Sequence, residues 1–276
     1  MRGSRDMRRW ALRVNYYFSL WREFFLMQIK RETIFKGSFL LEIVSYLMWF
    51  VFNIFFFGII LSYRRSIGGW GRYEVLTLIS INQLIVAIYD TFLGPNLRRF
   101  QTYIERGDFD LFIIKPLDLQ FFVSTRFMDL KPLFSTPLVL LTLTYALYKR
   151  GTLPGLTEFT LFLICFVMGV LIRYGLGFFV MSLSFYFVRV SALHSLQREL
   201  LSYAGYPYTI YEKFAKVFFT FIVPVALIAN LPAQALLKQP VKPELVIYSF
   251  FFALVVLVFS RHFFYRSIRR YESASS

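Results

Sequence analysis

Apolar residues along this 276-residue chain gather into runs of about twenty, separated by short stretches rich in Arg, Lys, Gly and Pro. A helix rises 1.5 Å per residue, so a run of that length matches the hydrocarbon core of a bilayer. Clear runs cover Ser38 to Leu61, Tyr73 to Leu93, Leu130 to Tyr148, Phe159 to Phe187 and Leu245 to Phe264. A further segment, Val217 to Leu231, is short for a straight span. It carries Pro224, and Pro232 follows it, so its far end is expected to be irregular or re-entrant, a backbone tolerated only against protein or water. Ahead of the first run, Arg8, Asn15, Ser19, Arg22 and Lys30 recur near helical spacing opposite Trp10, Val14, Tyr17, Trp21, Phe24 and Phe25. That segment predicts an amphipathic helix lying in the membrane interface. The pattern predicts an all-α integral membrane protein in three parts: a cytoplasmic N-terminus with an interfacial helix (1–36), a six-span domain (37–265) and a cytoplasmic tail (266–276).

Composition supports lipid as the main solvent. Hydrophobic residues make up 57% of the chain, charged residues 17%, and mean hydropathy is +0.56, more apolar surface than a soluble domain of this size could cover. A formal charge of +15 would suggest nucleic acid in a soluble protein, but here the cations flank apolar runs, where they set orientation. Nucleic acid is therefore not expected as a partner, and membrane lipid is. Counted by alternate loops, 23 Lys and Arg fall on the side of the termini and seven on the other, with Arg173 inside a span. Both termini are therefore expected in the cytoplasm. Arg13, Arg22 and Glu23 interrupt the first helix and no small-residue cleavage site follows it, so a cleaved signal peptide is not expected. The one cysteine, Cys165, permits neither an intrachain disulfide nor a Cys-based zinc cluster, and no metal site is expected.

Little in the chain points to covalent chemistry. No G-x-x-x-x-G-K-[ST] loop is present, so ATP is not expected to bind this chain, and Gly175-Leu176-Gly177 inside a span reads as a helix-packing site. His194 and His262 lie outside any H-E-x-x-H pattern, and no catalytic residue is assigned. Glu199, five residues after His194, is the one trace of a membrane-embedded lipid-modifying enzyme, the rival reading; a channel or assembly subunit without energy coupling is a third. Charges within spans carry more information, because each costs at least about 2.5–3.5 kcal/mol near the bilayer centre. Arg173 falls mid-span, with Glu42 and Asp90 nearer cytoplasmic ends as its candidate partners. Together with Asn53 they could line a polar path, or they could form a structural ion pair.

The clearest local signal lies between the second and third spans, from Tyr103 to Leu117. Charges, a glycine break and a short apolar run closed by Lys115-Pro116 suit a short helix and turn along the membrane that offers side chains to a cytosolic partner. Glu105, Arg106, Asp108 and Asp110 would make polar contacts there, with Phe109 and Phe112 as anchors, the arrangement typical of binding hot spots.

At these residues the chain resembles a permease subunit of the ATP-binding cassette type-2 exporter superfamily. The similarity is to a bacterial branch with a G-D-F-D-x-x-x-x-[KR]-P-L segment, here Gly107-Asp108-Phe109-Asp110 and then Lys115-Pro116-Leu117. Tyr206-Pro207-Tyr208-Thr209-Ile210-Tyr211, Phe221 to Ala226 and Leu231-Pro232-Ala233 resemble a second pattern of that branch. The resemblance implies an interfacial connecting helix, six spans and a coupling helix that includes Gly107, Lys115 and Pro116. It also implies a re-entrant region around Pro224, Asn230 and Pro232, and a place in the bacterial inner membrane. A second permease subunit, the same chain or a different one, would complete the pathway, and separate ATPase subunits would bind ATP and Mg. Substrates across the superfamily are amphiphilic, lipid-like, drug or peptide, and no residue selects among them.

Overall fold

The structure is a computed structural model that describes residues 2–32, 36–151, 153–187 and 190–271. Residues 33–35 of the N-terminal segment, 188–189 of the stretch after the fourth apolar run and 272–276 of the tail lie outside the described residues, as do the side chains of 2–14, 36 and 38. Among the described residues the chain is helical, with no strand.

The apolar runs become helices α2 (Lys36–Tyr63), α3 (Arg72–Phe92), α8 (Leu156–Ser182) and α12 (Pro243–Ile268). Among the described residues four helices are long and apolar enough to cross a membrane, and a bent pair adds a fifth candidate. The third expected span is a 3₁₀ segment, Lys131–Ser135, that leads into α7 (Thr136–Arg150); Gly151, at φ +72°, closes it in the left-handed conformation. α1 (Arg2–Glu32) is the amphipathic N-terminal helix. After α3 the chain continues as helix in a new direction. It turns at Leu93 into α4 (Gly94–Glu105), followed by α5 (Asp110–Ile113) and α6 (Leu119–Thr125).

α8 and α12 form the central pair. Val256 packs onto Gly175, and the Phe178 and Phe264 rings lie 4.9 Å apart. Higher up, Gly169 meets the backbone of Ile228, where any side chain would strike the carbonyl oxygen. α3 is the most enclosed of the long helices, with 61% of its apolar window buried, whereas α2 is 11% buried and presents its surface outward.

The fifth apolar segment, expected to be irregular or re-entrant, is bent. Lys213–Ile222 and Ala226–Leu236 meet at 71°, with Pro224 at the bend and Pro232 in the first turn of α11 (Leu231–Leu236). The first arm begins in α10 (Lys213–Val217) and becomes π-helical, while residues 224–237 are entirely buried. Residues 190–210, by contrast, run beside α3 from near α4 to the α2–α3 turn. α9 (Ser191–Ser202) starts near α4, Gly205 sits against Asn82 midway along α3, and Thr209 donates a 2.6 Å hydrogen bond to the carbonyl of Gly68 in the α2–α3 turn. α9 is amphipathic and largely exposed: Leu201 is buried, Leu193 and Leu196 are open, and Ser195, Arg198, Glu199 and Ser202 line a cavity. Asn230 fixes this geometry. Its Nδ2 donates to the carbonyls of Ala204 and Tyr206 (3.2 and 3.0 Å), and its Oδ1 accepts from Tyr208 N–H at 2.9 Å.

Candidate functional site: the α4–α6 segment and a cavity beside Arg173

Gly107 ends α4 at φ +74°, a conformation that costs glycine little. The turn is held by the Phe109 N–H bonding the Tyr103 carbonyl at 3.2 Å, and α5 begins three residues after the glycine. This brings Phe109 and Phe112, one helical turn apart, onto the inner side. Both are buried, at 0% and 3% exposure, so the expectation that they reach a partner is corrected. Phe109 packs against Phe100 (5.3 Å between centroids), Phe185 (5.3 Å) and Tyr271 (5.2 Å), and Phe264 reaches the same cluster through Phe100, Phe178 and Phe185.

What faces outward is the opposite side of α5 and its flanks. Leu111, Ile113 and Ile114 are 59%, 41% and 77% exposed, among exposed Glu105, Arg106, Lys115 and Pro116. Asp108 and Asp110 are half-buried. Arg126 lies over the rings of Phe112 (5.2 Å), Phe122 (5.4 Å) and Phe127 (5.0 Å), closing the inner side with a cation.

Two polar joints, neither assigned a role in the sequence reading, hold this region. Asn96 is 1% exposed; its Nδ2 donates to the carbonyls of Ser124 (2.9 Å) and Phe127 (2.6 Å), and its Oδ1 accepts from Phe127 N–H at 2.7 Å. Asp118 caps α6 through Phe121 N–H (2.9 Å) and accepts from Arg261 of α12 at 2.6 Å and from Tyr265 at 3.2 Å. Burial raises the Asp118 pKa, but the Arg261 and Phe121 hydrogen bonds outweigh it and hold the carboxyl below its usual range.

The second feature is a cavity of about 630 Å³ bounded by α2, α3, α8 and α9. Asn53 and Arg173 line it, as do Trp49, Asn82, Gln83 and Arg198, which the sequence reading did not single out. Adjacent amides at 82 and 83 inside an apolar run were the available signal.

The expected ion pair of Arg173 with Glu42 or Asp90 does not form. Asp90 is taken by Arg98 at 2.8 Å, across the α3–α4 bend, and Glu42 by Lys131 at 2.5 Å. The Arg173 guanidinium lies 4.9 Å over the Tyr89 ring, and its Nε and Nη1 are buried with no hydrogen-bond partner among the described residues. His194 Nε2 is likewise buried without a partner, and no hydrogen bond joins His194 to Glu199. His262 is exposed. Among the described residues no cluster of His, Cys, Asp and Glu could hold a metal ion.

Comparison with known proteins adds one positive result. A family model described as "ABC-2 family transporter protein" matches residues 47–275, most of the chain, from within α2 to the tail. No curated protein and no solved structure gives a match.

Proposed function

Because this chain belongs to the ABC-2 family of transporter proteins, we propose that it is the permease subunit of an ATP-driven exporter. It pairs with a second permease subunit and relies on separate cytosolic ATPase subunits to bind ATP and Mg. It is a multi-pass membrane protein, and its place is the bacterial inner membrane with both termini cytoplasmic. Moving Lys213 and Lys216 to the outer side and Arg198 into the membrane still leaves twenty cations inside against nine outside.

The observation that carries this reading is the aromatic cluster behind α5. Phe109 and Phe112 join the exposed segment to Phe178 at the end of α8 and Phe264 near the end of α12. Packed aromatic interiors move as units, so a partner that engages Leu111, Ile113 and Ile114 pushes on the ends of two spans that form the central pair. Glu105, Arg106, Asp108, Asp110 and Lys115 supply the polar rim, and Pro116 closes the segment. The motion is a rigid-body switch between access states. The re-entrant arm with Pro224, Asn230 and Pro232 closes the outer half beside Gly169.

Reconstitution tests the reading. Proteoliposomes that hold this chain and its ATPase subunit should move an amphiphilic substrate only with hydrolysable ATP, and the chain alone should hydrolyse none. Lipid modification by the purified chain, abolished by His194→Ala, would favour the enzyme reading instead.

A further inference from the structure

We propose that the cavity bounded by α2, α3, α8 and α9 binds an amphiphile with an anionic head group, a phosphate, sulfate or carboxylate on an apolar body, with Arg173 as the head-group ligand. The inference rests on the permease reading and deepens it by naming a substrate class.

Three features of the cavity converge on that class. The first is charge left unanswered. Arg173 is 6% exposed, and two of its guanidinium nitrogens are buried without a hydrogen-bond partner among the described residues, although such a group normally pairs. The nearby carboxylates are engaged elsewhere, Asp90 by Arg98 and Glu42 by Lys131. Arg198 adds a second cation to the wall, and among the described residues Glu199 is the single carboxylate lining the space, with no ion pair to Arg173. The cavity is therefore net positive. The second feature is unused amide capacity: Asn82 Oδ1 is buried without a partner, and Gln83 beside it is 6% exposed, which suits a head group that also carries hydroxyls or ester oxygens. The third is the apolar wall. Trp49, Phe52 and Phe56 form a ladder along α2, with successive centroids 6.1 and 6.3 Å apart. Their exposures of 62%, 59% and 40% open the ladder toward the lipid side, where an acyl or polycyclic body lies against it.

The guanidinium fork matches a tetrahedral or planar oxyanion, and its bonds are strong because water is largely excluded. A cationic amphiphile would meet two like charges.

The test is binding by the full chain in phosphatidylcholine nanodiscs, without nucleotide or ATPase. Displacement of a dansyl-labelled dodecyl phosphate is compared for dodecyl phosphate, dodecylphosphocholine, dodecyltrimethylammonium and inorganic phosphate. Dodecyl phosphate should compete at least about tenfold better than either other amphiphile, the ratio for one charge-assisted hydrogen-bonded pair, and inorganic phosphate should compete far more weakly. Arg173→Gln should bring the three amphiphiles to parity, and Arg173→Lys should keep most of the preference. Glu199 is exposed, so Glu199→Gln leaves the packing alone and should tighten dodecyl phosphate binding. Trp49→Ala should weaken all three alike. Equal or tighter binding of the cationic probe, or an unchanged preference in Arg173→Gln, overturns the proposal. Should Arg173→Gln fail to fold, an unchanged or weaker dodecyl phosphate affinity in Glu199→Gln overturns it independently. A lost preference leaves the permease reading standing, and a failed export assay leaves this binding result standing.

Discussion

Replacing Phe109 with Ala separates two roles that the same residue could have. As an exposed anchor, its loss would weaken partner binding and leave the chain's own stability unchanged. The structure places the ring at 0% exposure, between Phe100, Phe185 and Tyr271 at 5.2–5.3 Å. Truncating a fully buried Phe costs about 3–5 kcal/mol, the transfer term plus the cavity left behind. At about 2–4 °C per kcal/mol for a chain of this size, the midpoint should fall by roughly 6–20 °C. The assay uses Cys165, the one cysteine, which is 1% exposed and becomes reactive to a thiol-specific fluorophore only on unfolding. The control is Ile114→Ala, at 77% exposure, which should change stability by less than about 0.5 kcal/mol while reducing ATPase binding. A Phe109→Ala protein that melts with wild type, or an Ile114→Ala protein that loses stability instead, would refute the assignment of inner and outer faces.

Three further outcomes are expected. Asn96→Ala and Asn230→Ala each strand several buried backbone groups and should each cost about 2–4 kcal/mol in the same thermal assay, where a nearly neutral result would contradict the hydrogen bonding described. Asp118→Asn should lower stability by about 1 kcal/mol at pH 7. Because the folded carboxyl is held below its unfolded pKa of about 3.9, its contribution is complete above that value and lost as pH falls through the folded pKa, so the difference between wild type and variant should persist to mildly acidic pH and vanish in strong acid. In a Cys165-free background, a cysteine at Glu212 should react with an impermeant thiol reagent from outside the cell, as should one at Ser66; labelling at 212 only after lysis would return the 190–210 stretch to the cytoplasm.

The helices that contact lipid were legible from sequence because lipid imposes a uniform solvent. α2, α3, α8 and α12 fall within about five residues of their apolar runs at either end. The course of α9 was not legible, since Ser195, Arg198, Glu199 and Ser202 face a cavity and hydropathy averages over a helix without knowing what it packs against. The bend in Val217 to Leu231 was legible from Pro224 and Pro232, but not that its two halves differ, with Val217, Phe221 and Ile222 exposed and residues 224–237 buried beside Gly169. In the Tyr103–Leu117 segment, composition marked the stretch but not its faces. The three-residue interval between Phe109 and Phe112, against Leu111, Ile113 and Ile114 between and after them, was the available signal of one inner and one outer side. Arg173 was recognised as exceptional, but its lack of an acidic partner depended on Asp90 and Glu42 finding Arg98 and Lys131, pairings that arise from the α3–α4 bend and the approach of α2 to the 3₁₀ turn.

On the proposed function, the outer face of α5 meets a separate ATPase. A photo-reactive amino acid placed at Ile114 and irradiated in intact host cells tests it most directly, with Tyr63, 86% exposed at the other end of α2, as the control position. Position 114 should give an adduct with a cytosolic protein that carries a phosphate-binding loop, and position 63 none. Adducts from 114 with lipid alone, or with a phosphate-loop ATPase from position 63 and not from 114, would contradict it.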